Sequence, residues 1–246
     1  MMDNPEDQLR EYLDNLIINF IRCKENYNQL DELFNWINKN GYETVRQAEH
    51  FYYLVFYNFR KVLLLELYKL YSDREDRTIV DWLCKASLHA HNLNLVHIDP
   101  WIDDEEKNKT PLRVDHFREI VDEHIKMIKS QSHLINKLTS LRDKHYAHAD
   151  KKFYKKGDNI DALFPIKWKE ISLLIECANQ ILTKQYEILF NTEYSTNTLS
   201  SGSIETVLKS TRAFSRIRKN KKLLYSGFKP LDYLRDDYEA NKHKGV

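Results

Sequence analysis

With 246 residues, the chain is long enough to bury a substantial core as one large or two small domains. Apolar residues make up 42 % and aromatics 12 %, but there are only five Gly and five Pro, where average usage gives about 17 and 12; so few breakers exclude a sandwich, a barrel, a doubly wound sheet and any collagen-like or low-complexity chain. The 38 basic and 37 acidic residues leave a net charge of +1, which with this apolar content excludes general disorder.

Helical periodicity is nearly continuous. Asn4-Pro5-Glu6-Asp7 supplies an N-cap, a Pro at the first helical position and acids in the first turn. Apolar residues follow at Leu9, Leu13, Ile17, Phe20 and Ile21, and a second segment with Leu30, Leu33, Phe34 and Ile37 runs to a stop at Asn40-Gly41. A long helix is predicted from Thr44 to Tyr71, apolar around most of its circumference and ended by Ser72-Asp73. Its stretch from Phe51 to Tyr71 carries Arg60, Lys61, Glu66 and Lys69, too many ions for a bilayer span, so no membrane association is expected. Thr78-x-x-Asp81 resembles a capping box opening a helix to about Leu95.

Residues 99–110 form an acidic loop, Thr110-Pro111 restarts a helix, and helical pattern continues to His148 with a break at Ser130-Gln131-Ser132. After a basic, then polar loop from Lys151 to Asp161, Pro165 opens another long helix to Asn191. Residues 191–203 have linker composition, and a short helix starts near Ser203. No alternating strand pattern and no repeat is present. The expected organisation is an all-α bundle of six or seven helices over residues 1–190, including N-terminal helices at 4–40, then a linker at 191–203 and a basic C-terminal segment at 204–246.

Three widely spaced cysteines, Cys23, Cys84 and Cys177, predict free thiols in a cytoplasmic protein. The acidic, polar N-terminus is not that of a signal peptide. Charge is unevenly spread: Thr206 to Leu231 holds eight basic residues and no acid, which puts a net −7 on the remainder. Arg212, Arg216, Arg218 and Lys219 lie in this window, interleaved with Phe214, Tyr225 and Phe228. Basic residues with aromatics suit an anionic polymer such as RNA, where cations neutralise phosphates and rings stack on bases; a solvated helix face or a partner-docking segment is the other reading.

Residues 141–150, LRDKHYAHAD, hold the candidate chemistry. The stripe Leu134, Leu138, Leu141 continues by steps of four and three onto His145 and His148, so two imidazoles extend a buried helix seam. Arg142 and Asp143 flank it, Lys144 sits one turn before His148, and Lys151, Lys152, Lys155 and Lys156 follow. Six positions from Arg142 to His148 correspond to about 240° on an ideal helix, so the two converge only if the helix unwinds or a second copy packs against the seam. A His can pass a proton near neutrality, and an Arg offers a planar fork to phosphate oxygens. RNA cleavage needs little more, because the neighbouring 2′-hydroxyl is an internal nucleophile. On spacing alone, His145 and His148 also read as satisfied core histidines and Arg142 as a surface residue. No metal or cofactor is expected: no His has Glu or Asp three positions before it, and His-Glu-x-x-His, Gly-rich phosphate loops and kinase signatures are absent.

LRDKHYAHAD resembles the signature of the HEPN superfamily, in which an Arg is followed after four to six residues by a His; five separate Arg142 from His148. Leu141, Arg142, Lys144, Ala147, His148 and Asp150 resemble more narrowly the AbiU-type branch, linked to bacterial abortive infection, although Asp143 stands where that branch usually has Asn. Residues 68–83, YKLYSDREDRTIVDWL, are similar to the branch's helix, short acidic-basic turn and next helix. The resemblance spans residues 40–190.

It implies a HEPN-like helical bundle forming a homodimer, with two Arg–His motifs facing each other in one composite site. It further implies metal-independent endoribonuclease activity leaving a 2′,3′-cyclic phosphate, in a toxin or phage-defence effector. On that reading His148 moves the proton, Arg142 stabilises the charged phosphorane and Asp143 orients its neighbours. Lys144, His145, Lys151, Lys152, Lys155 and Lys156 hold flanking RNA. An antitoxin or defence protein is an implied partner; Asp150 stands where members silenced by a nucleotidyltransferase often carry an acceptor Tyr, which argues against that control. The alternative is a non-catalytic helical module that binds RNA or a partner protein, and a metal-dependent helical enzyme is the third reading.

Overall fold

The Asn4 side chain caps the first helix, accepting the Glu6 backbone N–H at 3.2 Å. From there α1 runs unbroken over Pro5–Asn40; the two segments read from the sequence are one helix, because the polar run Asn26–Gln29 is no obstacle to helical backbone. It ends at Gly41, whose φ of +76° is the left-handed geometry that glycine adopts without steric cost. The computed structural model describes residues 4–72, 75, 77–98, 109–143, 166–192, 194 and 204–219.

The long helix expected from Thr44 is two: α2, Glu43–Arg46, and α3, Glu49–Tyr71. Thr78 caps α4, Ile79–Leu88, as its spacing predicts, accepting the Asp81 N–H at 3.2 Å; a short 3-10 turn follows at Ala90–Asn92. Two three-residue strands, β1 (Val96–Ile98) and β2 (Lys109–Pro111), pair antiparallel with Val96 opposite Pro111 and Ile98 opposite Lys109. Pro111 therefore ends a strand, and α5 starts only at Val114, running to Ser130. The break at 130–132 is present, and α6 spans Ser132–Leu141. Next come α7, Trp168–Phe190, ended by Asn191 in the left-handed region (φ 56°), and α8, Ile204–Lys219. The described residues thus hold eight α-helices and one small hairpin, an all-α fold.

Packing divides the chain into two units. The first comprises Met1–Glu25 and Lys61–Thr198. Its core gathers Leu13, Phe20, Leu63, Leu67, Trp82, Phe117, Leu138 and Leu174, none more than 1 % exposed. Polar ties fix the register: Trp82 Nε1 donates to the Leu9 carbonyl at 2.9 Å, and the Tyr12 hydroxyl donates to Asp81 at 2.8 Å. At the start of α7, Glu170 accepts from Lys137 of α6 at 2.6 Å and from the Lys167 backbone at 2.7 Å.

The second unit comprises Asn26–Arg60 and Leu199–Val246. Leu33, Trp36, Val45 and Tyr52 form its core with Ile204 and Leu208 of α8. Gln29 accepts the Ile204 backbone N–H at 2.9 Å, Tyr52 bonds Thr211 at 3.0 Å, and Arg212 donates to Asn40 at 2.9 Å. The opening 16 residues of the basic segment set apart at 204–246 are therefore a helix with a buried apolar side in this unit. Among the described residues no helix is long and apolar enough to cross a membrane.

Candidate functional site

Leu134, Leu138 and Leu141 are each 1 % exposed, so the seam read from α6 is a buried stripe. At its end the backbone widens into a π turn at Arg142 and Asp143, a local winding often found at functional positions. His145, His148, Lys144, Lys151, Lys152, Lys155 and Lys156 lie outside the described residues.

Arg142 sits in an enclosure built from three sequence segments. Its Nη1 donates to Asp143 at 3.0 Å, and its Nη2 lies 3.5 Å from Glu75, just beyond α3. Its guanidinium carbon lies 4.9 Å from the ring centroid of Tyr68 on α3, a cation–π contact. The hydrogen bond to Asp143 pushes the Arg142 pKa up, with Tyr68 and Glu75 adding to it, so the group is a fixed cation. Tyr68 is 3 % exposed, and its buried hydroxyl has no hydrogen-bond partner among the described residues. Arg142 keeps about a third of its side chain exposed. Among the described residues, two of its five N–H donors face carboxylates, and a guanidinium's further donors suit an oxyanion.

Tyr68 and Glu75 both belong to the segment 68–83 on which the looser part of the resemblance rests. The sequence carried the two motifs separately; the fold brings them together at Arg142. Of the candidate cations on α8, Arg212 is exposed and bonded to Asn40; the side chains of Arg216, Arg218 and Lys219 lie outside the described ones.

A second ionisable group, with no signal in the sequence, is buried in the first unit. His124 of α5 is 8 % exposed, and its Nδ1 lies 2.9 Å from the Gln185 amide nitrogen of α7. With Gln185 donating, Nδ1 is the acceptor and the ring is neutral. Burial, assisted by the nearby positive charge of Lys184, pushes its pKa down to about 4. A base held that low carries no proton at neutral pH, so His124 is a packed polar group. A cleft beside the hairpin, whose lining includes His97, Arg113, Asp115, His116 and Glu119, contains none of the candidate site residues read from the sequence. Among the described residues, no three His, Cys, Asp or Glu side chains gather to hold a metal ion.

These features define an all-α bundle in which Arg142, held and partly exposed, stands at the end of a buried helix seam. The family model HEPN_AbiU2, described as AbiU2, matches residues 6–209, and the chain belongs to this family of the HEPN superfamily. No curated protein and no solved structure matches the chain. The matched span takes in α1 and the first turns of α8, both beyond the 40–190 reach of the motifs. Membership supports a HEPN-type role in defence or as a toxin.

Proposed function

We propose that this protein is a metal-independent endoribonuclease whose site is completed across a homodimer. His148 accepts the proton of the 2′-hydroxyl. The 2′-oxygen attacks the adjacent phosphorus, the bond to the 5′-oxygen breaks, and the leaving oxygen takes up a proton, giving a 2′,3′-cyclic phosphate and a 5′-hydroxyl. Arg142 stabilises the phosphorane, where preorganised positive charge acts most strongly. Asp143 holds the guanidinium, while Lys144, His145 and the lysines at 151, 152, 155 and 156 contact the RNA backbone. Arg212, Arg216, Arg218 and Lys219 contact it from α8.

The observation that carries this reading is the fixed cation at Arg142, in the HEPN motif position of a chain that belongs to the family. The same corner also favours a second reading, a non-catalytic module: Asp143 and Glu75 already neutralise the guanidinium, so Arg142 can serve packing alone.

Incubation of the purified protein with total RNA, with and without EDTA, separates the readings. Cleavage unaffected by chelator supports the first. No cleavage favours the non-catalytic module, and chelator-sensitive cleavage sinks the metal-independent mechanism. Light scattering at tens of micromolar should give twice the chain mass; a clean monomer counts against the composite site.

A further inference from the structure

The geometry points to Tyr68 and Glu75 as positioning residues that aim Arg142 at the scissile phosphate, an assignment that rests on the ribonuclease reading. An unrestrained arginine has four rotatable side-chain bonds and would have to be ordered when substrate binds. Here its plane is set from two directions: the Tyr68 ring lies against the guanidinium at 4.9 Å, and the Glu75 carboxylate approaches Nη2 at 3.5 Å. Asp143, beside Arg142 in the chain, adds a hydrogen bond from Nη1 at 3.0 Å. Tyr68 lies on α3 and Glu75 just beyond it, so they tie Arg142 to a separate element.

The two contributions differ in kind. Tyr68 is buried among core residues, so its ring is a rigid wall. Its buried hydroxyl has no partner among the described residues, and a buried polar group left in that state lowers stability. The ring, then, is the part that acts on Arg142. Glu75 is 39 % exposed, and an ion pair that open to water is weak and salt-screened. It trims the guanidinium's angle and yields when a phosphate approaches.

The test combines kinetics with a direct signal from Arg142. Tyr68→Phe keeps the ring and should retain wild-type kcat, with a melting temperature at or above that of wild type. Tyr68→Leu removes the ring and should lower kcat about 10- to 100-fold, the loss expected when a reacting group is misplaced by about 1 Å; KM should change little. Glu75→Gln should stay within about 5-fold of wild type. In 15N NMR, the Arg142 Nε–Hε resonance, identified by its loss in Arg142→Lys, should be ring-current shifted in wild type and Tyr68→Phe and return to its ordinary position in Tyr68→Leu. A folded Tyr68→Leu protein with wild-type kcat overturns the assignment. So does a Tyr68→Phe protein as impaired as Tyr68→Leu, since the hydroxyl would then be the acting group. A wild type that cleaves no RNA removes the ribonuclease reading by itself; an Arg142 resonance unmoved by Tyr68→Leu removes the positioning assignment separately.

Discussion

Arg142 and His124 are basic side chains in the same unit, treated in opposite ways. Arg142 stands at a helix end, a third exposed, with Asp143 and Glu75 beside it and an aromatic face against it. Each of these neighbours favours the charged form. His124 lies inside the bundle against an uncharged amide, and burial with a neighbouring lysine holds it neutral. Chemistry that needs a permanent cation at a phosphate has one at Arg142. At His124 the same bundle suppresses a charge for the sake of packing. A histidine on a helix stripe is thus no indication of function until its surroundings are known.

The comparison breaks most visibly if Arg142 proves dispensable. Arg142→Ala and His148→Ala should each reduce RNA cleavage by about 10²- to 10⁴-fold, the usual cost of losing an acid–base or charge-stabilising group, with helical circular dichroism unchanged. His145→Ala should cost less. Full activity in His148→Ala would show the proposed site to be wrong.

The opposite pole is tested by acid. His124 binds its proton at about pH 4 in the fold, against about 6.5 in an unfolded chain. Between those values the unfolded chain binds more protons, so stability present above pH 6.5 is lost as pH falls towards 4. The loss should be on the order of 3 kcal/mol. Urea titrations at stepped pH measure it, and His124→Leu should flatten that part of the profile whatever its effect on stability at pH 8. An unchanged slope would mean that His124 is more hydrated than its burial indicates.

A third pair sharpens the contrast from between the poles. Lys137 is 38 % exposed and Glu170 19 %. The hydrogen bond from Lys137, followed by that from the Lys167 backbone, holds the Glu170 carboxyl below its ordinary value. A carboxyl held low stabilises the fold at neutral pH, and that contribution disappears as pH falls through its folded value. Replacing Lys137 with Met should cost only about 0.2–1 kcal/mol, less still in 1 M salt, as read from urea midpoints. A loss above about 2 kcal/mol would place this pair with buried charge.

Much of the fold was legible because local chemistry wrote it. Asn4, Gly41 and Thr78 cap or stop helices where their residue types predict, and the leucine stripe of α6 is buried as its spacing requires. The hairpin was not legible, since three-residue strands offer no run of alternation to detect. The interruption between α2 and α3 falls at Gln47-Ala48, neither a helix breaker. On α8 the apolar stripe is short, Ile204 and Leu208, and lies under conspicuous basic charge, so its burial against α2 and α3 was hidden. At the candidate site, Arg142 was legible from its motif. Its partners Glu75 and Tyr68 were not, being 67 and 74 positions away, brought in by packing that no local spacing records.

The three cysteines make the quaternary question accessible by spectroscopy. Cys84 on α4 is exposed, whereas Cys23 and Cys177 are buried and burial pushes both thiols up. Maleimides react with accessible thiolate, so near neutral pH a dye should attach at Cys84 alone, without engineering. Donor-labelled and acceptor-labelled batches of the natural chain, once mixed, would report subunit exchange by energy transfer. A single reagent thereby gives a ruler between copies, one that leaves Arg142 and His148 untouched.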